Sequence, residues 1–485
     1  MERARAINVD IIFQSCLLTV QLVWKRQRSF SGRVDLLQWT GVTFAVDNHK
    51  LVLQLFIEPV RAGTYFTLPF TMPGDVASFS LAYHYERRQE NEVPAANGRF
   101  TARQGTNIID LGLIAPDGVQ VGASGSDKSE IYLDETRATP GYTPCTLVPG
   151  EWQIIVGAYH IAVEGVTVTY ELTFTPRRRQ LLKGDLHAHT LASDGVLTAA
   201  ELAWHARRHG LDFLAITDHN QMVTRAALPQ VPGLTLIPGL EWTHFRGHAN
   251  FLGVEKPYEG PFLANTPGEI RARFDSAREH GALITINHPF DPGCEFLFDI
   301  NSLPFDCLEV WNGPMREANL RAIDLWQSLL VAGEKVPICG GSDYHRDAPF
   351  QFLGGPTTCV YAMSTNTSAI LAALKQGHAY VTYAPDGPEL ELSAGPSGAI
   401  MGDTLPWPRV QELQIRAEGL LAGDVVQVIT ARQSEPVFEA PAAGCFQGSY
   451  RMEAAGFARI EILRSFLPGL PLLPALVSNP IYFEA

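Results

Sequence analysis

TAAELAWHARRHGLDFLAITDH, residues 198–219, holds the step that repeats through the middle of the chain. Residues 198–209 have a helical pattern starting at Thr198, and 212–217 follow as an apolar strand that runs straight into Asp218 and His219. The same step recurs downstream. Thr266-Pro267-Gly268-Glu269 has the spacing of a capping box with proline at the first helical position, so a helix is expected from there to about Gly281. Strands are expected at 282–287 (ALITIN), 306–311 (DCLEVW) and 336–340 (VPICG), with helical patterns at 315–332 and 367–376. Strands alternating with helices predict an α/β fold built on a parallel βα barrel.

On either side the texture changes. From about residue 30 to 176, short apolar runs are separated by Gly, Pro, Asp and Asn. Between 166 and 175, Val166, Val168, Tyr170, Leu172 and Phe174 alternate with Thr167, Thr169, Glu171, Thr173 and Thr175, the period of a half-buried strand. Pro176 and the basic run Arg177 to Arg179 then punctuate the chain, and after about 385 short Gly/Pro-rich strands return. The expected organisation is a β-sandwich or jelly-roll domain over 1–180, a βα barrel over 181–385 and a small β-sandwich over 386–485.

Bulk properties limit the partners. A chain of 485 residues, 46% hydrophobic, exceeds what one core organises, which predicts two or three domains. With only 18% charged residues and a formal net charge of -14, it has no basic field for duplex nucleic acid. Seven cysteines without CxxC pairing favour free thiols in a reducing compartment. The first 24 residues have early arginines, but Asp10, Gln14 and Gln21 interrupt the apolar stretch, so it is expected to form strand and not a signal peptide. No apolar run approaches the roughly 20 residues that span a bilayer. A soluble, cytoplasmic protein without a membrane partner is expected.

Ten of the fourteen histidines fall between 187 and 345, many at the ends of expected strands. In a βα barrel those ends converge on one mouth, so residues distant in sequence can meet around an ion. Five motifs supply them: Gly184-Asp185-Leu186-His187-Ala188-His189-Thr190 with Ser193-Asp194-Gly195; Thr217-Asp218-His219-Asn220; Gly239-Leu240-Glu241-Trp242 with Gly247-His248; Asn287-His288-Pro289; and Gly340-Gly341-Ser342-Asp343-Tyr344-His345. His187 and His189, like Asp343 and His345, stand at i and i+2, which on a strand face the same way. Any one histidine can cap a helix, and any one acid can form an Asx turn. Five strand ends that all carry His, Asp or Glu point instead to a metal site.

GDLHAHTLASDG, TDHN, GLEW followed by HANFLG, NHP and GGSDYH, in this order, resemble the successive metal motifs of the PHP (polymerase and histidinol phosphatase) superfamily over residues 183–383. The flanking β regions and the GGSDYH form resemble its carbaryl-hydrolase-like branch. The resemblance implies a distorted (β/α)7 barrel with three divalent ions. His187, His189, Glu241 and Asp343 would hold the first; Glu241, His248 and His288 the second; Asp194, His219 and His345 the third. His244, close by, competes with His248.

The residue chemistry agrees. Imidazole and carboxylate ligands suit Zn, Mn or Fe, and closely spaced ions generate hydroxide at neutral pH and clamp the oxygens of a phosphoryl or acyl centre. The expected activity is metal-dependent hydrolysis, a phosphoesterase first and a carbamate, ester or amide hydrolase second, with no catalytic side chain beyond the metal-activated hydroxide. The expected substrate is a small anionic phosphoester, with Arg246, Arg316 and Arg346 as candidate anion contacts and further contacts on the loops 221–233, 255–265 and 291–304. A non-catalytic binding protein is the third reading; it requires a retired site, yet all nine positions keep competent ligands. The other HxH barrel hydrolases often use a mid-barrel lysine, and Lys183, Lys256, Lys335 and Lys375 end no expected central strand. His205, His209 and His280 are read as helix residues and Cys339 as core.

Overall fold

The computed structural model describes residues 44–47, 49–87, 107–135 and 137–484; the expected strand within residues 1–24 and Cys16 lie outside these. The chain divides into two compact units, Met1–Arg178 and Arg179–Ala485. No helix among the described residues is long and apolar enough to cross a membrane. The six described cysteines are all free.

Among its described residues the first unit has two antiparallel sheets, one of five strands and one of four. The strand Val166–Pro176 lies inside the larger sheet, between Lys50–Ile57 and Val76–His84, and its burial alternates along its length. The side chains it buries meet those of Gly150–His160 from the other sheet in one core, where Phe79, Trp152, Ile154, Val168 and Tyr170 are sealed from water. The period of two visible in the sequence has this cause: one face packs on the opposite sheet and the other is wet.

The second unit is mixed α/β, rich in sheet and poor in helix. Among the described residues it has four α-helices, Ala199–Arg208, Pro267–Glu279, Glu317–Val331 and Thr367–Lys375. The first two start at capping boxes, in which Thr198 pairs with Glu201 and Thr266 with Glu269. Seven strands neighbour one another in chain order: Gln180–Asp185, Phe213–Ile216, Thr235–His244, Gly247–Leu252, Leu283–Ile286, Cys307–Asn312 and Ile338–Gly341. Just past the ends of the first and last, Ala188 bridges Tyr344 in parallel.

Helices fill only three of the six connections between these strands, and one strand breaks the parallel run. Gly247–Leu252 runs antiparallel to both neighbours, because the two residues Phe245 and Arg246 join it directly to Thr235–His244 and leave no length for a crossover helix. The strands after residue 385 belong to the same unit. Leu473–Ser478 pairs with Ala379–Thr382, and Cys359 and Tyr380 share a core with Leu390, Ile415, Val428 and Phe483.

Close approach of the first two strands requires a glycine. Gly184 is paired with Phe213, and a Cβ at 184 would lie 2.2 Å from Phe213 Cδ2, deep in the core. Gly184→Ala should therefore destabilise the unit by about 2 kcal/mol through overpacking. Denaturant midpoints should show that loss, and Phe213→Leu added to it should recover part. An unchanged midpoint would mean that the two strands have slack the structure does not show.

Candidate metal centre

Eight of the nine expected ligands stand on the seven strands or within a few residues of their C-terminal ends, and Asp194 follows in the turn after His189. All nine come together: each lies within 3.6 Å of another. Glu241, without solvent access, is the centre. Its Oε1 is 3.2 Å from His187 Nε2, 3.1 Å from His248 Nδ1 and 3.3 Å from His288 Nε2; its Oε2 is 2.7 Å from His219 Nδ1 and 3.6 Å from His189 Nε2. Asp343 Oδ1 lies 3.0 Å from His189 Nε2 and 3.3 Å from His187 Nε2. At the open edge, Asp194 Oδ1 is 3.1 Å from His345 Nε2 and 3.6 Å from His219 Nε2.

Three sets of donors are close enough to hold an ion: His187, His189 and Asp343; His187, Glu241 and His288; and His189, Asp194, His219 and His345. The sets share His187 and His189, so the cluster is continuous. The inner two are nearly sealed, whereas the Asp194 side chain at the outer end is 57% exposed, which gives a substrate its approach.

Hydrogen bonding satisfies much of the cluster and stops short at its middle. His288 Nδ1 is buried with no hydrogen-bond partner, and His187 Nε2 and Glu241 Oε2 are buried without a partner in hydrogen-bond geometry, although Glu241 Oε1 lies 3.2 Å from the first and His219 Nδ1 2.7 Å from the second. Leaving buried polar atoms unpaired costs about 1–3 kcal/mol each, so orphans gathered in one place call for something that binds them. Imidazole nitrogens and carboxylate oxygens that converge in one place fit a divalent cation of the Zn, Mn or Fe kind once the imidazoles have given up their protons.

Surrounding groups aim the ligands. Glu309 Oε1 lies 3.0 Å from His187 Nδ1, which turns Nε2 inward; Glu309 Oε2 accepts from the His288 backbone N–H at 2.9 Å and from Asn312 Nδ2 at 3.2 Å. Asn287 Nδ2 donates to Glu241 Oε1 at 2.9 Å, and His345 Nδ1 is 2.8 Å from the Asp343 carbonyl, freeing Nε2 for Asp194. Asp185 accepts from the N–H groups of His187, Ser342 and Gly354 and ties the first motif to the last; Asp218 accepts from the Thr190 N–H and the Ser193 hydroxyl and ties the second motif to the first. Asn220, His288 and Asp343 have φ of +51°, +25° and +51°, backbone that non-glycine residues adopt only when their surroundings enforce it.

The sequence motifs include Asp185, Asp218 and Asn287 without giving them a role, and Glu309 was missed. The available signal was an acid at 309, buried inside the otherwise apolar DCLEVW strand. His244 is engaged away from the cluster: its Nε2 faces the Ala264 carbonyl at 3.0 Å and its Nδ1 accepts from the Arg246 N–H at 3.1 Å, whereas His248 touches Glu241. Of the arginines, Arg316 donates to Asn312 Oδ1 at 3.0 Å, and Asn312 in turn donates to Asp343 Oδ2 at 3.4 Å. Arg246 is held on the Leu297 carbonyl and over the Phe298 ring, and Arg346 is exposed. His205 and His209 lie with ring centroids 4.3 Å apart and planes tilted by 54°, outside the three donor sets, and Cys339 is buried.

Charge in the cluster is mutual. Burial opposes protonation of His187, but Asp343, Glu309 and Glu241 outweigh it and hold its pKa well above the ordinary imidazole value. His219 and His288 are likewise raised against burial, chiefly by Glu241. Burial alone would raise Glu241, yet His187, His219 and His248 pull it well below the usual carboxylate range. Without an ion, the site balances its own charges with protons on imidazole.

No protein-family model matches the sequence. One curated relative, the 5'-3' exoribonuclease Rnm of Salmonella typhimurium, is 37% identical in a match 103 residues long that covers 18% of this chain and 34% of that relative's length. Among solved structures, a two-domain protein containing a predicted PHP-like metal-dependent phosphoesterase from Bacteroides vulgatus superposes with a TM-score of 0.36 at 17% identity, covering 63% of this chain and 97% of that one. An amidohydrolase from Chromobacterium violaceum superposes with a TM-score of 0.25 at 16% identity, covering 34% and 92%. At these scores both are loose likenesses.

An incoming cation must displace the protons on His187, His219 and His288, so loading should release protons and weaken as pH falls. Titrating Mn or Zn into weakly buffered protein with a pH indicator should show net release; no release would contradict the donor set. In the ion-free protein the raised imidazoles stabilise the fold at low pH, and that contribution is lost as pH rises through their folded pKa values. The lowered Glu241 behaves oppositely, its contribution being lost as pH falls. Gly341 lies between His187 and Glu309, and a Cβ there would sit 2.4 Å from His187 Cβ. Gly341→Ala should thus weaken metal binding by roughly 10- to 100-fold, the usual effect of disturbing a ligand's support, as read by competition with a chelating dye.

Proposed function

We propose that this chain is a metal-dependent hydrolase of the PHP superfamily, acting as a phosphoesterase on small anionic substrates at a centre of two or three divalent ions. The observation that carries this is the convergence around Glu241 of buried imidazole and carboxylate atoms, some without a partner in hydrogen-bond geometry, open to solvent at Asp194. The motif order from GDLHAH to GGSDYH supports the family, and the seven neighbouring strands support a distorted (β/α)7 barrel as its frame. The name of the Salmonella relative, a 5'-3' exoribonuclease, favours phosphoester chemistry. A net charge of -14 favours a small substrate over a duplex.

Bound divalent ions supply Lewis acidity and an activated water. The protein's part is to hold the donors and to place the substrate. Glu241, shared between donor sets, sets their spacing, and Glu309 and Asn287 lock the ligand orientations. Arg316, two hydrogen bonds from Asp343, is the cation best placed to bind a phosphoryl oxygen beside the cluster. Its salt bridge to Asp291 at 2.8 Å fixes the guanidinium at the rim.

A panel of 4-nitrophenyl phosphate, bis(4-nitrophenyl) phosphate, 4-nitrophenyl acetate and an aryl carbamate, assayed with added Mn or Zn, tests the assignment. Phosphate turnover that chelation removes and metal restores is expected; turnover confined to the acetate or carbamate would transfer the site to acyl chemistry. Glu309→Gln should lower activity by roughly 10- to 100-fold through ligand misorientation. Arg316→Gln should raise KM for phosphate esters about tenfold, the worth of one charge-assisted hydrogen bond, with a smaller change in kcat.

A further inference from the structure

Glu241 turns its two oxygens to different donors. Oε1 lies near His187, His248 and His288, and Oε2 lies near His219 and His189. The terminal torsion of a glutamate is broad and holds no orientation by itself, so a carboxylate left to turn can bring both oxygens onto one ion. An amide holds this one: Asn287 donates from Nδ2 to Oε1 at 2.9 Å.

A primary amide has a donor end and an acceptor end of nearly the same shape, and its neighbours decide which end faces where. For Asn287 the deciding neighbour is Asn250, which stands opposite Glu241 across the hairpin, on the strand Gly247–Leu252. The Asn250 backbone N–H can only donate, and it meets Asn287 Oδ1 at 3.2 Å; Asn250 Oδ1 accepts from Asn287 Nδ2 at 2.9 Å. Asn250 is fixed in turn by a main-chain carbonyl, which can only accept: its Nδ2 donates to the Leu186 carbonyl at 3.2 Å. A flip of Asn287 would set donor against donor at Asn250 and acceptor against acceptor at Glu241. A flip of Asn250 would set its oxygen against the Leu186 carbonyl. The relay from Leu186 through Asn250 and Asn287 to Glu241 therefore has a single sense. Asn250 is 2% exposed and Asn287 and Glu241 are sealed, so water does not replace its members. Leu186 lies between Asp185 and His187, which ties the carboxylate to the motif that carries His187 and His189.

We infer that Asn250 is a positioning residue of the metal centre: acting through Asn287, it holds the Glu241 carboxylate so that Oε1 serves one ion and Oε2 its neighbour. The inference rests on the proposed centre of two or three ions and adds what keeps those ions coupled. Without Asn250, the Asn287 amide loses the two contacts that set its sense. The carboxylate is then free to turn both oxygens toward the inner donors, and His219 and His189 lose the oxygen they share with them.

The test is a manganese titration of the full-length protein, read by equilibrium dialysis for affinity and by electron paramagnetic resonance for coupling between ions, in the wild type, Asn250→Leu, Asn287→Leu and the double variant. The wild type gives a spin-coupled spectrum once a second ion is bound. Asn250→Leu keeps the volume and removes the amide; it weakens the second ion by roughly 10- to 100-fold, the usual cost of removing a ligand's support, and gives the spectrum of isolated ions. Asn287→Leu does the same, and the double variant is no worse than Asn287→Leu alone, because two members of one relay do not add. Asn250→Ser, too short to reach Asn287 and Leu186, repeats the measurement where leucine prevents folding. A merely structural role lowers the denaturant midpoint of the ion-free protein and leaves affinity and coupling as in the wild type; that result, or losses that add in the double variant, overturns the inference. Wild-type protein that binds manganese only as isolated ions overturns it too, whereas wild-type protein that binds none defeats the metal centre itself.

Discussion

A carboxylate with no access to water must be matched by positive charge, and Glu241 is matched by a ring of histidines drawn from four other places in the chain. An isolated buried charge would cost many kcal/mol, and the group would neutralise before it paid that penalty. Here His187, His219, His248 and His288 close around it, and each arrives on its own strand end or turn. The requirement that these elements end in register around one carboxylate constrains the whole second unit. Asp185 and Asp218 serve that register by clamping the backbone amides of neighbouring motifs.

The strain in the unit is concentrated at the same place. His288 and Asp343, both donors, and Asn220, next to His219, hold positive φ, which costs about 1–3 kcal/mol each where the residue is not glycine. Protons on the imidazoles balance the ion-free charges but leave His187 Nε2, His288 Nδ1 and Glu241 Oε2 without a partner in hydrogen-bond geometry. Cations would meet those atoms and relieve the strained arrangement's main deficit. The same hairpin that inverts one strand of the sheet brings His248 within 3.1 Å of Glu241, so a turn of two residues shapes the centre.

Much of this was legible in the sequence where the signal is local. Thr198 and Thr266 mark helix starts because a capping box is complete within four residues, and both boxes form. Alternation over 166–175 names its strand because one face is buried. The nine candidate donors could be named because most fall near the ends of apolar runs and their motifs follow the order of a known family. What could not be read is set by distant pairing. Nothing in 473–478 says that it adds to the edge of 379–382, so the strands after 385 looked separate. The reversal at Phe245-Arg246 was hidden because that turn lacks the Asn-Gly or Asp-Gly pair that announces a tight hairpin. Glu309 was missed because a lone acid in an apolar strand has a meaning only when the His187 ring that it orients is in view.

Anomalous diffraction from crystals grown with Mn or Zn, recorded on both sides of the metal edge, tests the central claim most directly. The account predicts at least two anomalous peaks within the cluster, with His187 Nε2 and Glu241 at coordination distance and the imidazole protons displaced. A cluster that stays free of metal under those conditions, with histidines and carboxylates hydrogen-bonded directly to one another, would contradict it.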